Sequence, residues 1–230
     1  MVHAFFAERA VAKIPEAKAT PRPLSAIGVV GGGTMGAGIA AAALQAGLPV
    51  VMIERDAEAL ARGEANLRRN FASAVAKGRM SRGELDALLE SRFAGATDYA
   101  ALKDADLVIE AVFETMAVKK AVFENLDAVM REGAVLATNT SYLDVNEIAA
   151  VTRRPQDVLG LHFFSPAHVM RLLEVVVGER TAPEVVATGF ALARRMGKVA
   201  VRAGVCDGFI GNRILGAYLK AADRMVEDGA

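Results

Sequence analysis

The chain has 230 residues, is 53% hydrophobic and carries 27 acidic against 27 basic side chains. That is enough apolar material for a sizeable core, and the charge balance gives no reason to expect nucleic acid or an anionic membrane as partner. A lone Cys206 excludes an internal disulfide and offers no metal-ligand spacing, and with no bilayer-length apolar run and no secretory start the chain reads as soluble and intracellular, of cytoplasmic type.

Residues 1–25 do not look like the start of a domain. FFAERAVAKIPEAKATPRP begins with a short amphipathic helical turn and then passes Pro15, Pro21 and Pro23, which favour an extended, semi-rigid connector. A linker and a frayed N-terminal tail are both consistent with that composition.

The stretch from Ala26 to Asp56 organises the rest of the chain. An apolar run ends in three consecutive glycines, a small-residue helical run extends from Met35 to Ala46, and a second apolar run, Val50 to Ile53, ends on Glu54. This is a strand, turn, helix and strand with Gly31, Gly33 and Gly36 in G-x-G-x-x-G register. Gly31 allows the sharp turn, Gly33 lets a diphosphate approach bare main chain, and Gly36 lets helix and strand pack closely. The helix start at Thr34 and Met35 offers unpaired N–H groups to phosphate. Glu54 can accept hydrogen bonds from an adenosine ribose and would repel a 2′-phosphate, which favours NAD over NADP; Arg55 beside it is the argument for NADP. A purely structural glycine turn is the bland alternative.

Helical periodicity continues over residues 57–77, with Leu60, Leu67, Phe71 and Val75 on one face, and over 81–93, opened by a Ser81/Glu84 capping box. These two helices make an insertion after the second strand. Arg68, Arg69 and Lys77 on its polar side read either as contacts for a ligand's phosphates or as a solvated face.

The α/β alternation then resumes: a strand over 106–112, a helix over 119–130, a strand over 135–138 and a short helix over 144–150. Glu110 and Glu114 come at the end of one strand, and Asn139, Thr140 and Ser141 at the end of the other. In an open parallel sheet such strand ends face the ligand, although Glu114 and Lys119 could instead pair with each other. Residues 158–164 and 172–177 read as an antiparallel pair that makes His162 and Glu174 neighbours, an arrangement that orients an imidazole and stabilises its protonated form. His168 competes, but from the loop between them.

GVVGGGTMGAGIA, EAVFE, NTSYL, GLHFFSPAHVMRLLEVV and GFIGNR, in this order and spacing, resemble the NAD-binding domain of L-3-hydroxyacyl-CoA dehydrogenase. The stretch FFAERAVAKIP resembles the linker of bifunctional β-oxidation enzymes, in which an enoyl-CoA hydratase domain comes first. The resemblance implies a Rossmann-type α/β fold, doubly wound and mostly parallel. It divides the chain into a linker (1–25), an NAD-binding domain (26–205) and the first helix of a truncated helical domain (206–230). It also implies that His162 is the base, Glu174 its orienting partner, and Ser141 and Asn212 the groups that hold the substrate oxygen. The cofactor contacts would be Gly31, Gly33, Thr34, Met35, Gly36, Glu54, Glu114, Lys119 and Asn139. Ser165 departs from the family's frequent asparagine.

The expected reaction is hydride transfer from C3 of an L-3-hydroxyacyl-CoA to NAD, with upstream hydratase and downstream helical domains as covalent partners and a homodimer as the assembly. No metal, nucleic acid or membrane is expected. A dehydrogenase of small 3-hydroxy acids and a non-catalytic dinucleotide-binding fragment are the rival functions. The apolar face of the last helix, with Ile214, Leu215, Tyr218 and Leu219, is expected to be left uncovered or to meet a partner chain.

Overall fold

The computed structural model describes residues 6, 7, 9–11 and 13–229. The helical turn expected at the start of FFAERAVAKIP falls in part on Phe5 and Glu8, which lie outside the described residues; residues 6, 7, 9 and 10 are helical. The strands are β1 (Ile27–Val30), β2 (Val50–Ile53), β3 (Phe93–Ala96), β4 (Leu107–Glu110), β5 (Val135–Thr138), β6 (Val158–Phe163), β7 (Leu172–Val177) and β8 (Val199–Gly204). They form one sheet in the order β3-β2-β1-β4-β5-β6-β7-β8. Every pairing is parallel except β6 with β7.

The central strands are short apolar runs because both faces are covered. Their side chains alternate between two cores. Ile27, Val29, Leu107, Ile109, Leu159, Leu161, Leu173 and Val175 face one core. Val30, Val108, Leu136, Val158 and Val176 face the other. The first core is closed by α1 (Thr34–Gln45), α2 (Ala57–Ala76), α3 (Arg82–Arg92) and α6 (Pro183–Arg195), the second by α4 (Met116–Val129) and α5 (Val145–Ala149). This is the doubly wound, mostly parallel arrangement that the glycine motif and the α/β alternation lead one to expect.

The insertion obeys its local signals. Asp56 caps α2 by accepting from the Ala59 N–H at 2.7 Å. Ser81 and Glu84 close a reciprocal capping box on α3, which satisfies two backbone donors that would otherwise be orphaned. Leu67 and Phe71 are fully buried and Leu60 and Val75 partly so.

Three departures from the sequence reading have physical causes. Phe93 caps the C-terminal end of α3, as expected, but it also opens an unexpected strand, β3, at the sheet edge, which has no fully buried residue and pairs parallel with β2. Helix α4 starts at Met116, ahead of the expected Lys119, with Thr115 in extended conformation before it. Residues 178–205, which carry no motif, form α6 and β8, the latter extending the sheet beside β7.

From residue 13 onward the segment before β1 is extended, with one 3-10 turn at Pro15–Lys18, and it is tied down by several side chains. Glu16 pairs with Arg202 at 2.9 Å. Arg22 pairs with Asp157 at 2.7 Å and donates to the Gly133 carbonyl, while its own N–H reaches Thr188 Oγ1 at 2.8 Å. Asp106 accepts from the N–H groups of Ser25 and Ala26. At the other end, α7 (Gly211–Glu227) has no buried residue, and Ile214, Leu215, Tyr218 and Leu219 are each at least half exposed. Among the described residues no helix is long and apolar enough to cross a membrane.

Candidate active site

The glycine turn lies at the carboxyl end of β1, and each glycine answers a separate constraint. Gly31 has φ +96°, a left-handed region costly to other residues. A Cβ on Gly36 would fall 1.7 Å from the Gly31 carbonyl oxygen, so α1 packs directly on the end of the strand. Gly33, exposed and immediately before α1, would have nothing within 4 Å of a Cβ. No side chain caps the start of α1, and its first turn carries no acid. An open main-chain surface beside uncapped N–H groups fits the diphosphate of a dinucleotide.

Gly32, which the motif leaves unassigned, packs its Cα side against Gly63 of α2, where a Cβ would lie 2.7 Å from the Gly63 Cα. Its N–H donates to Glu54 Oε1 at 2.7 Å, and its carbonyl accepts from Asn66 Nδ2 at 2.9 Å. Glu54 is thereby held at the end of β2 against the turn. The neighbouring Arg55 guanidinium pairs with Asp56 at 2.9 Å and does not engage the Glu54 carboxylate.

His162 and Glu174 are register partners across the antiparallel β6 and β7. They point to the same face of the sheet, and His162 Nδ1 lies 2.6 Å from Glu174 Oε2. Both residues are buried, at 4% and 1% exposure, yet β6 ends at the same edge of the sheet as β1. Burial acts to raise the pKa of Glu174, but the hydrogen bond and charge of His162 and the N–H groups of Gly211 and Ile210 outweigh it and hold the carboxyl below its ordinary range. The carboxylate fixes one nitrogen of the ring and leaves Nε2 as the one available to a ligand. His168 has no such partner: its Nδ1 is buried without a hydrogen bond, and burial together with the nearby Lys198 charge lowers its pKa.

The strand-end groups divide into two sets. Glu110 is fully buried and belongs to the interior, where it accepts from Lys119 Nζ, Thr138 Oγ1 and the Val112 N–H; its expected place among ligand-facing groups is thus corrected. Lys119 is 1% exposed, with its ammonium 2.7 Å from Glu110 and 3.2 Å from Glu114. Those two carboxylates take up its charge, in line with the pairing alternative. Glu114, in turn, accepts from Thr140 Oγ1 and from the N–H groups of Ser141 and Tyr142, and so shapes the turn that carries Ser141. Burial works to raise the pKa of Glu114, but these hydrogen bonds and the Lys119 charge hold it below its ordinary range.

Asn139 spends its Oδ1 on the Phe163 N–H at 2.9 Å, tying β5 to the residue after His162. Asn212 is the second residue of α7, half-buried, and comes directly after the Gly211 whose N–H bonds Glu174. Arg68, raised as a phosphate contact, pairs with Asp86 at 2.6 Å, and Arg69 bonds Asn66.

Lys119→Met tests the buried pair. Losing the ammonium leaves Glu110 as an uncompensated interior charge, so chemical denaturation is expected to show a loss of about 3–5 kcal/mol. A loss near zero would mean that Glu110 is neutral or hydrated.

Residues 26–206 match the family described as 3-hydroxyacyl-CoA dehydrogenase, NAD binding domain. The chain belongs to this family. Among solved structures, FadB2 of M. tuberculosis superposes with a TM-score of 0.86 at 39% identity, over 90% of this chain and 73% of that one. The 3-hydroxybutyryl-CoA dehydrogenase of Escherichia coli gives 0.85 at 41% identity, over 90% and 44%. The peroxisomal bifunctional enzyme of Cavia porcellus is 44% identical over 99% of this chain, which spans 32% of that protein's length. The chain thus spans about a third of the length of the curated relatives it matches, and its cofactor is NAD.

Two features of this NAD-binding domain have no clear signature in the sequence. One is the Gly32–Gly63 contact, whose only trace is a third glycine in the run. The other is the second oxygen of Glu174, which no spacing rule connects to residues 210 and 211.

Proposed function

We propose that the chain carries the dehydrogenase centre that interconverts an L-3-hydroxyacyl-CoA and the 3-ketoacyl-CoA, as in fatty-acid β-oxidation, with bound NAD supplying the hydride acceptor. The observation that carries this reading is the buried His162–Glu174 pair, 2.6 Å apart, at the sheet edge that also bears the glycine turn. Nε2 of His162 takes the proton of the substrate's 3-hydroxyl, and Glu174 stabilises the imidazolium that results. Ser141, held on its turn by Glu114, and Asn212, at the start of α7, hold the substrate oxygen. Gly31, Gly33 and Gly36, the N–H groups of Thr34 and Met35, and Glu54 hold the dinucleotide. Asn139, Glu114 and Lys119 shape the nearby loops and complete the cofactor site.

The names of the relatives, a bifunctional enzyme and a 3-hydroxybutyryl-CoA dehydrogenase, support an acyl-CoA substrate over a free 3-hydroxy acid. Residues 1–25 are read as a linker from an upstream hydratase domain, and residues 206–230 as the opening of a downstream helical domain that covers the acyl-CoA and supplies a dimer contact. The uncovered apolar residues of α7 support a second reading for the chain by itself: it binds NAD and turns substrate over poorly.

The test is NADH oxidation driven by 3-ketoacyl-CoA, run on this chain and on a form extended at its C-terminus. Turnover that rises on extension is expected. Oxidation with a free 3-keto acid but not its CoA ester would favour the small-acid reading, and NADH binding without turnover in the extended form would favour a binding module.

A further inference from the structure

The connection from β8 to α7 is held in a costly form. Phe209 has φ +48°, alone among the described non-glycine residues in being positive, and Gly208 before it has φ +67°. A bulky residue is rarely kept in that region unless its surroundings demand it. Here the surroundings are the catalytic pair. The Phe209 ring is 1% exposed, with its centroid 5.6 Å from that of His162, while Phe164 meets the same imidazole at 4.5 Å. Glu174 holds His162 through Oε2 and, through Oε1, accepts the N–H groups of Ile210 at 3.0 Å and Gly211 at 2.8 Å. A Cβ at Gly211 would lie 2.8 Å from Phe164 Cζ, so a side chain there has to displace the Phe164 ring. One carboxylate therefore grips both the imidazole and the turn, and the turn returns an aromatic ring to the imidazole.

We propose that Phe209 is a positioning residue for His162: the turn pinned by Glu174 Oε1 presses the Phe209 ring on the imidazole and sets its tilt. A single hydrogen bond at Nδ1 fixes one point of the ring and leaves its tilt free. Packing on a second side fixes the direction of Nε2, and a misdirected base costs rate without costing binding. This inference rests on reading His162 as the base.

The test uses the natural full-length protein. Phe209→Leu keeps apolar bulk and the left-handed backbone but removes the ring, whereas Phe209→Gly removes ring and strain together. In both, kcat for 3-ketoacyl-CoA reduction is expected to fall about ten- to a hundredfold with KM for substrate and NADH little changed. The ring-proton NMR signals of His162 should also lose the ring-current shift that Phe209 imposes. Should Phe209→Gly fail to fold, Phe209→Leu carries the measurement. Wild-type kcat in Phe209→Leu, or a rise in KM with kcat intact, overturns the proposal. If the wild-type protein transfers no hydride, the enzyme reading fails separately; the His162 signals still decide, and unchanged signals in Phe209→Leu overturn the positioning role.

Discussion

His162→Gln is expected to lower kcat by about 10²–10⁴, the usual contribution of a positioned general base, while NADH binding by fluorescence titration stays at the wild-type value. The amide is close enough in shape to fill the space between Phe164 and Phe209 and can still donate to Glu174, so the fold should tolerate it. What it lacks is a nitrogen that can take the hydroxyl proton. Because His162 sits on β6 and the glycine turn at the end of β1, two strands connected only through β4 and β5, binding and proton transfer should separate cleanly. If turnover survives, another group is the base. His168 is then the first candidate, although burial and the charge of Lys198 set its pKa below the ordinary histidine value and no carboxylate orients it.

Gly36 and Gly33, on the same turn, should fail in opposite ways. Gly36→Ala places a methyl group 1.7 Å from the Gly31 carbonyl oxygen, and because both partners are main chain nothing can rotate aside. The helix must leave the strand, at a cost at or beyond the about 1–3 kcal/mol typical of overpacking, and thermal unfolding should show a markedly lower Tm. Gly33→Ala meets no atom within 4 Å and has a φ of −66° that alanine adopts freely, so its Tm should match wild type. Its methyl group would instead occupy the surface proposed for the diphosphate, and the Kd for NADH should weaken about tenfold or more, roughly 1.4 kcal/mol or above. If Gly33→Ala bound NADH normally, the diphosphate would have to lie elsewhere.

The parts of the fold that are legible in the sequence are those whose signal is local. The glycine register, the small-residue helix after it and the Ser81/Glu84 box each encode their geometry within a few residues, and the structure has them where the pattern puts them. The pairing of β6 with β7 is legible because two apolar runs follow one another in the chain, and the register that they adopt sets Leu161, Phe163, Leu173 and Val175 on one buried face. That register alone makes His162 and Glu174 partners. β3 is not legible, because FAGA at a sheet edge buries too little to show a pattern. The pairing of Lys119 with Glu114 is legible from their proximity, but its burial and its contact with Glu110 are not, because a lysine is ordinarily read as a surface charge and only the fold brings Glu110 to it. The second attachment of Glu174, to residues 36 and 37 positions further along, is a tertiary fact that no window contains.

The anchors of the strap before β1 also constrain the order in which the molecule can be completed. Arg22 needs Asp157 and Thr188, and Glu16 needs Arg202, 186 positions later, so a segment synthesised ahead of β1 must wait for the last strand before all its ties can form. These ties close very long loops, which makes them costly in entropy to form first. Residues 16–22 are therefore expected to be fastened late in folding, with the Glu16–Arg202 tie formed only once β8 has joined the sheet.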